Sequence, residues 1–72
     1  MERGRAREGA GLGGLGAAYE SLGDPRRAIE YYEQHLKIAR EIGDRAGEGA
    51  ALGNVGNVYR SLGDPRRAIE YY

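Results

Sequence analysis

The stretch SLGDPRRAIEYY at Ser21–Tyr32 occurs a second time in the chain, without a single change, at Ser61–Tyr72. The similarity continues upstream at the same offset of 40 residues, so that 21 of 28 aligned residue pairs are identical. A fixed internal period of this length is typical of stacked repeat proteins, in which each unit covers an apolar face of its neighbour. The sequence therefore predicts one domain, with repeat 1 at about residues 5–44 and a partial repeat 2 at about residues 45–72.

The repeated stretch contains the junction between two helices. Its glycine, Gly23 in the first copy, is suited to end a helix in the left-handed conformation, which costs glycine no steric strain. The next two residues, Asp24 and Pro25, are a favoured N-cap and a favoured first residue of the following helix. The same signals recur 40 residues later, and Gly43-Asp44 supplies another junction between the copies. We therefore expect four helices, at about residues 6–22, 25–42, 45–62 and 65–72.

Apolar residues recur at helical spacing in these segments and predict the core. In the first and third helices the expected stripe is Leu12, Leu15, Tyr19 and Leu22, repeated as Leu52, Val55, Tyr59 and Leu62. In the second helix the expected stripe is Ala28, Tyr32, Leu36, Ala39 and Gly43, widened by Ile29 and Ile38. His35 is expected to pack against the adjacent helix.

The composition excludes several classes of function. Eleven basic residues balance eleven acidic ones, which argues against a nucleic-acid or an anionic membrane partner. The absence of cysteine and the single His35 leave no disulfide framework, no thiolate zinc site and no cysteine nucleophile. No apolar run approaches the roughly 20 residues that span a bilayer, and the charged N-terminal segment, with no apolar region after it, is not expected to act as a secretory signal. We therefore expect a cytoplasmic protein that is not an enzyme and has no cofactor.

A glycine-rich segment, Gly11–Gly16, matches the dinucleotide-binding pattern G-x-G-x-x-G. That pattern binds a cofactor only after a strand and with an acidic residue about 20 positions later, where this chain has Leu36. Each glycine inside a helix costs about 1 kcal/mol relative to alanine, so the segment needs a structural explanation. Close packing of helices is the favoured explanation, and a groove kept open for a ligand backbone is the alternative.

The spacing of these residues resembles that of the tetratricopeptide repeat. The residues that carry the resemblance are Leu12, Leu15, Gly16, Tyr19, Ala28 and Tyr32, and in the second copy Leu52, Val55, Gly56, Tyr59, Ala68 and Tyr72. The period of 40 exceeds the family's usual length of about 34 residues and is similar to the repeats of kinesin light chain, of Pins-type spindle adaptors and of bacterial signalling proteins. The resemblance implies an all-α fold, in which helix-turn-helix repeats form a short right-handed α-solenoid.

In this family, partners bind on the concave face lined by the first helix of each repeat. By register, the resemblance implies that the partner-binding residues are Gly13, Ala17, Glu20, Gly53, Asn54, Asn57, Arg60 and Ser61. Asn54 and Asn57 stand three residues apart, and an amide can both donate to and accept from a peptide backbone. The lysine that completes the family's carboxylate clamp is replaced by Gly53, so a C-terminal carboxylate ligand is not expected.

The expected function is therefore protein–protein interaction, with an extended or helical peptide as the ligand. Two alternatives stay open: a structural self-assembly module, and a linker arm of a larger bacterial regulator. Self-association through exposed repeat ends is expected because the last helix lacks the counterparts of Glu33–Ile42, which would leave Leu52, Val55 and Ile69 uncovered. Head-to-tail stacking or a symmetric dimer with exchanged C-terminal ends would cover them, and the dimer is slightly preferred.

Overall fold

The computed structural model describes residues 2–71, which form four helices and, within that range, no strand. The helices are α1 at Glu2–Ser21, α2 at Pro25–Ile42, α3 at Arg45–Ser61 and α4 at Pro65–Tyr71. Each helix packs against the next one along the chain, and α1 also contacts α3. The result is an elongated stack with dimensions of 38 × 24 × 13 Å. The expected all-α helical repeat is confirmed.

Each turn between two helices has the same construction, as the sequence predicts. Gly23, Gly43 and Gly63 have φ values of 78°, 71° and 77°, a backbone conformation that only glycine adopts without strain. In the first turn the backbone N–H of Asp24 donates to the carbonyl oxygen of Tyr19 at 2.8 Å, which satisfies a carbonyl at the end of α1. The Asp24 carboxylate then accepts from the backbone N–H of Arg27 at 3.2 Å and caps α2.

The core lies mainly between α2 and α3. Its buried apolar side chains are Ala28, Ile29, Tyr32, Leu36, Ile38, Ala39, Ala51, Val55, Val58 and Ala68. Tyr19 and Tyr59 pack against the edge of this core. The stripe predicted for α2 is thus confirmed, except for Gly43, which is exposed in the turn after the helix.

The stripe predicted for α1 and α3 is partly wrong. Leu15, Leu22 and Leu62 are 46%, 77% and 48% exposed. Leu22 and Leu62 directly follow the last residue of their helices, where their side chains are exposed. Leu15 lies on a side of α1 that no described helix covers. Val55 was predicted to be left uncovered, and this prediction is also wrong. Val55 is 0% exposed, because α2 packs onto it.

The glycines of α1 allow two rings of α2 to approach its backbone. A Cβ atom at Gly16 would lie 2.7 Å from two carbons of the Tyr32 ring, and one at Gly13 would lie 2.9 Å from His35 Nδ1. His35 also lies against Gly9, at 3.1 Å from a Cβ placed there. Close helix packing therefore explains these three glycines, and the prediction that His35 packs against the adjacent helix is confirmed.

We expect alanine at two glycines of α1 to change stability in opposite directions. Gly14 has no atom within 4 Å of an added Cβ, so Gly14→Ala gains helix propensity of about 1 kcal/mol. Gly16→Ala places its Cβ against the buried Tyr32 ring, and we expect this overpacking to destabilise the chain by about 1–3 kcal/mol. Urea unfolding of the two variants measures the difference, and shifts of the same sign would contradict the packing role of Gly16.

Candidate functional site

The sequence-predicted site residues lie on two helices that contact each other, and six of the eight occupy equivalent positions in the two repeats. Residues Gly13, Ala17 and Glu20 lie on α1, and residues Gly53, Asn54, Asn57, Arg60 and Ser61 lie on α3. Gly13, Gly53 and Asn54 are half-buried, the other five are exposed, and none belongs to the core. We call these eight residues the α1/α3 face. That they form one binding surface remains a prediction.

One carboxylate of this face is held by the core. The Tyr32 hydroxyl donates to Glu20 Oε1 at 2.6 Å, across the packed surfaces of α1 and α2. Burial of the Tyr32 ring, together with this hydrogen bond, raises the pKa of its hydroxyl above the ordinary value. Because Tyr32 itself is only 2% exposed, the bond holds the Glu20 side chain against a rigid part of the fold.

The two halves of the face differ in chemistry. On α1 the small residues Gly13 and Ala17 precede Glu20, so this half carries little side-chain volume and one negative charge. The positions that correspond to Ala17 and Glu20 on α3 are Asn57 and Arg60, so that half carries an amide and a positive charge. The face therefore has small residues on α1 and polar side chains that can form hydrogen bonds on α3.

His35 lies directly behind the α1 half of the face. Its ring occupies the space toward which a side chain at Gly13 would point. The ring is half-buried, and its Nδ1 atom is buried with no hydrogen-bond partner among the described residues. Gly13 consequently presents only backbone, whereas the neighbouring Gly14 has open space around its Cβ position.

Sequence reasoning missed a stack of side chains that recurs in both repeats. In the first repeat the Tyr19 and Tyr31 rings are stacked, with centroids 5.3 Å apart and planes at 2°, and the Arg27 guanidinium lies 5.6 Å from the Tyr19 centroid. The second repeat has the same arrangement in Tyr59, Tyr71 and Arg67. Aromatic stacking and cation–π attraction thus join the two helices of each repeat. The signal in the sequence was the identical spacing of these three residues in the two copies.

Two open clefts lie away from the α1/α3 face. One, of about 370 Å³, lies between α1 and α2 and is lined by Arg5, Glu8, Leu12, Gln34, Lys37, Ile38 and Glu41. The other, of about 470 Å³, lies where α2, α3 and α4 meet and is lined by Glu33, Leu36, Lys37, Arg40, Glu41, Leu52 and Tyr71. The Arg5–Glu41 ion pair crosses the first cleft. Neither cleft contains a predicted site residue.

The structure gives the glycine pattern no context for a dinucleotide. Gly11–Gly16 lies inside α1, and no strand precedes it within residues 2–71. The described part of the chain contains no cluster of histidine, cysteine and acidic residues that could hold a metal ion. No helix among the described residues is both long and apolar enough to cross a membrane.

Comparison with known proteins finds one similarity. A sequence model described as tetratricopeptide repeat matches residues 7–72, which is most of the chain. No curated protein and no solved structure matches it. The similarity therefore concerns the repeat as a family.

Proposed function

Because the chain belongs to the tetratricopeptide repeat family, whose repeats generally mediate protein–protein interaction, we propose that it binds a peptide segment of a partner protein on the α1/α3 face. The observation that carries this proposal is the placement of polar groups on α3. Asn54, Asn57 and Arg60 follow one another at intervals of three residues and lie outside the core. Asparagine is a poor helix former, so its presence here has a cost in helix stability that a binding role would explain.

The chemistry of the two helices supports an extended peptide as the ligand. The amides of Asn54 and Asn57 can each donate to a peptide carbonyl and accept from a peptide N–H. Ala17 on α1 is exposed and has a small side chain, so it leaves space for the peptide backbone to lie close to the helix. Glu20 and Arg60 carry opposite charges and would give the bound segment a preferred direction.

Selection from a phage-displayed library of random linear peptides, with the 72-residue chain as bait, tests the proposal. We expect enriched peptides to bind the double variant Asn54→Ala/Asn57→Ala roughly tenfold to a hundredfold more weakly, because two or more hydrogen bonds to the backbone are lost. Fluorescence anisotropy of one labelled peptide measures the change. Glu30→Ala, at an exposed position of α2, is the matched control and should bind like the parent chain.

Two results would contradict the proposed function. One is that the library yields no enriched peptide, and the other is that an enriched peptide binds the double variant as tightly as the parent chain. Circular dichroism of each variant must show unchanged helicity, so that lost binding reports the face and not the fold.

The proposed relationship of this chain to particular groups within the family rests on the length of its repeat. The 40-residue period supports two repeat units, at about residues 5–44 and 45–72, of the longer variety seen in Pins-type adaptors, kinesin light chain and bacterial signalling proteins. A scaffold or linker arm in a larger cytoplasmic regulator is a use of the module that is compatible with peptide binding.

A further inference from the structure

The outer side of α1 is apolar and open, although its counterpart on α3 is buried. Gly11, Leu15, Ala18 and Leu22 succeed one another at intervals of four, three and four residues, and we call them the α1 end face. Leu15 and Leu22 are 46% and 77% exposed, and Gly11 and Ala18 are also exposed. The first three positions correspond on α3 to Ala51, Val55 and Val58, which are 0%, 0% and 1% exposed.

Inside the chain, the start of α2 covers this surface of α3. Ile29 is 9% exposed and lies in one buried cluster with Val55 and Val58. The residue that corresponds to Ile29 on α4 is Ile69, which is 74% exposed. The chain therefore has an uncovered copy of the α2 half of this contact on α4. On α1 it has an uncovered apolar surface at the positions of the α3 half.

One of the two open surfaces repeats its half of the internal contact in sequence, and the other is apolar at the positions of the other half. The segment around Ile69 has the same twelve-residue sequence as the segment around Ile29, and both begin a helix after the same Gly-Asp-Pro turn. Within residues 2–71, α1 does not contact α4, so the two surfaces do not meet in one molecule. A second copy of the chain can bring them together.

We propose that α4 of one molecule docks on the α1 end face of the next, in a head-to-tail contact. Ile69 then lies against Leu15 and Ala18 of the second copy, as Ile29 lies against Val55 and Val58 within the chain. The contact is heterologous, so each added molecule presents a new open α4 and association continues beyond the dimer. This surface differs from the α1/α3 face, so self-association and peptide binding can be tested separately.

The packing of α4 favours this stack over a dimer with exchanged C-terminal helices. Ala68 is 3% exposed, and the Tyr71 ring is stacked on Tyr59 of the same molecule. The Tyr71 hydroxyl also donates to Glu33 at 3.1 Å. Exchange would first break these contacts, whereas stacking keeps them and adds new ones.

Sedimentation equilibrium from micromolar to millimolar concentration tests the contact. We expect the average mass of the parent chain to rise with concentration beyond twice the 7.8 kDa of a single chain. Leu15→Asp and Ile69→Asp, which each charge one half of the contact, should weaken association at least roughly tenfold. Ala6→Asp adds the same charge at an exposed position on the opposite side of α1 and should leave association unchanged.

Mixing the two variants separates a head-to-tail contact from every other arrangement. A Leu15→Asp molecule keeps its α4 surface, and an Ile69→Asp molecule keeps its α1 end face, so together they form one normal junction. We expect the equimolar mixture to form a dimer and no larger species, whereas each variant alone remains a monomer.

Three results would overturn the proposal. They are a parent chain that remains at 7.8 kDa at millimolar concentration with full helicity, a mixture that remains monomeric, and a Leu15→Asp variant that associates like the parent. The last result would indicate a symmetric contact through α4 or an exchanged dimer. If an aspartate variant loses helicity, Leu15→Ala and Ile69→Ala replace the pair. The average mass should then again be highest for the parent chain, lower for the mixture and lowest for each variant alone.

Discussion

Replacing Tyr32 by alanine is expected to lower the free energy of unfolding by roughly 3–5 kcal/mol. The ring is 2% exposed, fills the space over Gly16 and joins α2 to Val55 and Val58 of α3, so its removal leaves a cavity between three helices. A chain of this length has only a small margin of stability. We therefore expect Tyr32→Ala to be largely unfolded at room temperature, as measured by circular dichroism at 222 nm in a thermal melt of roughly micromolar protein.

The matched control removes the hydroxyl and keeps the ring. Tyr32→Phe loses the hydrogen bond to Glu20, which contributes about 0.5–1.5 kcal/mol, and retains the packing against Gly16. If Tyr32→Ala were no more destabilising than Tyr32→Phe, the assignment of the ring to the core would be wrong.

The raised pKa of the Tyr32 hydroxyl leads to a prediction of how the free energy of unfolding changes with pH. Burial raises the pKa of Tyr32 above its ordinary value of 10.0, so the folded chain keeps this proton at a pH where the unfolded chain loses it. Below pH 10 the protonated Tyr32 hydroxyl makes its full contribution to the free energy of unfolding, and this contribution declines as the pH rises further. Tyr32→Phe lacks this group, so its melting temperature should fall less than that of the parent chain above pH 10.

Replacing Leu36 by alanine is the second large effect, with an expected loss of roughly 2–5 kcal/mol in the free energy of unfolding. Leu36 is 6% exposed and stands on the buried stripe of α2, so the substitution removes packed methyl groups that the short helices around it cannot easily replace. Urea unfolding at micromolar concentration measures the loss.

Leu22→Ala provides the comparison for Leu36→Ala with the same change of side chain. Leu22 is 77% exposed, so its truncation should change stability by less than about 0.5 kcal/mol. Equal losses at the two positions would show that burial does not decide the effect, and would refute the assignment of Leu36 to the core.

The elements of the fold were predictable because their signals are local. The Gly-Asp-Pro order after Leu22 requires a left-handed residue, then an N-cap, then a first helical residue, and no distant contact is needed to decide this. The predicted bounds of α2, residues 25–42, match the structure, and α3 ends one residue earlier than expected. The family could also be recognised from residue spacing, because the same positions recur 40 residues apart.

The candidate site was predictable only as a set of positions. Periodicity places Asn54, Asn57 and Arg60 at intervals of three residues, and the structure keeps them out of the core. Periodicity in the sequence could not show that Glu20 is held by Tyr32, because these residues lie on different helices and meet only when the helices pack. It also could not show that His35 fills the space beside Gly13, because that contact depends on the same packing.

By itself, the sequence determined the number of helices, the turns between them and the repeat of 40 residues, since each depends on neighbours along the chain. Only the tertiary structure decided which equivalent residues are buried. Leu15 and Val55 have the same place in their repeats, yet one is 46% exposed and the other 0%, because α2 packs on α3 and no described helix packs on that side of α1. Burial depends on what lies across a surface, and repeat position alone does not carry that information.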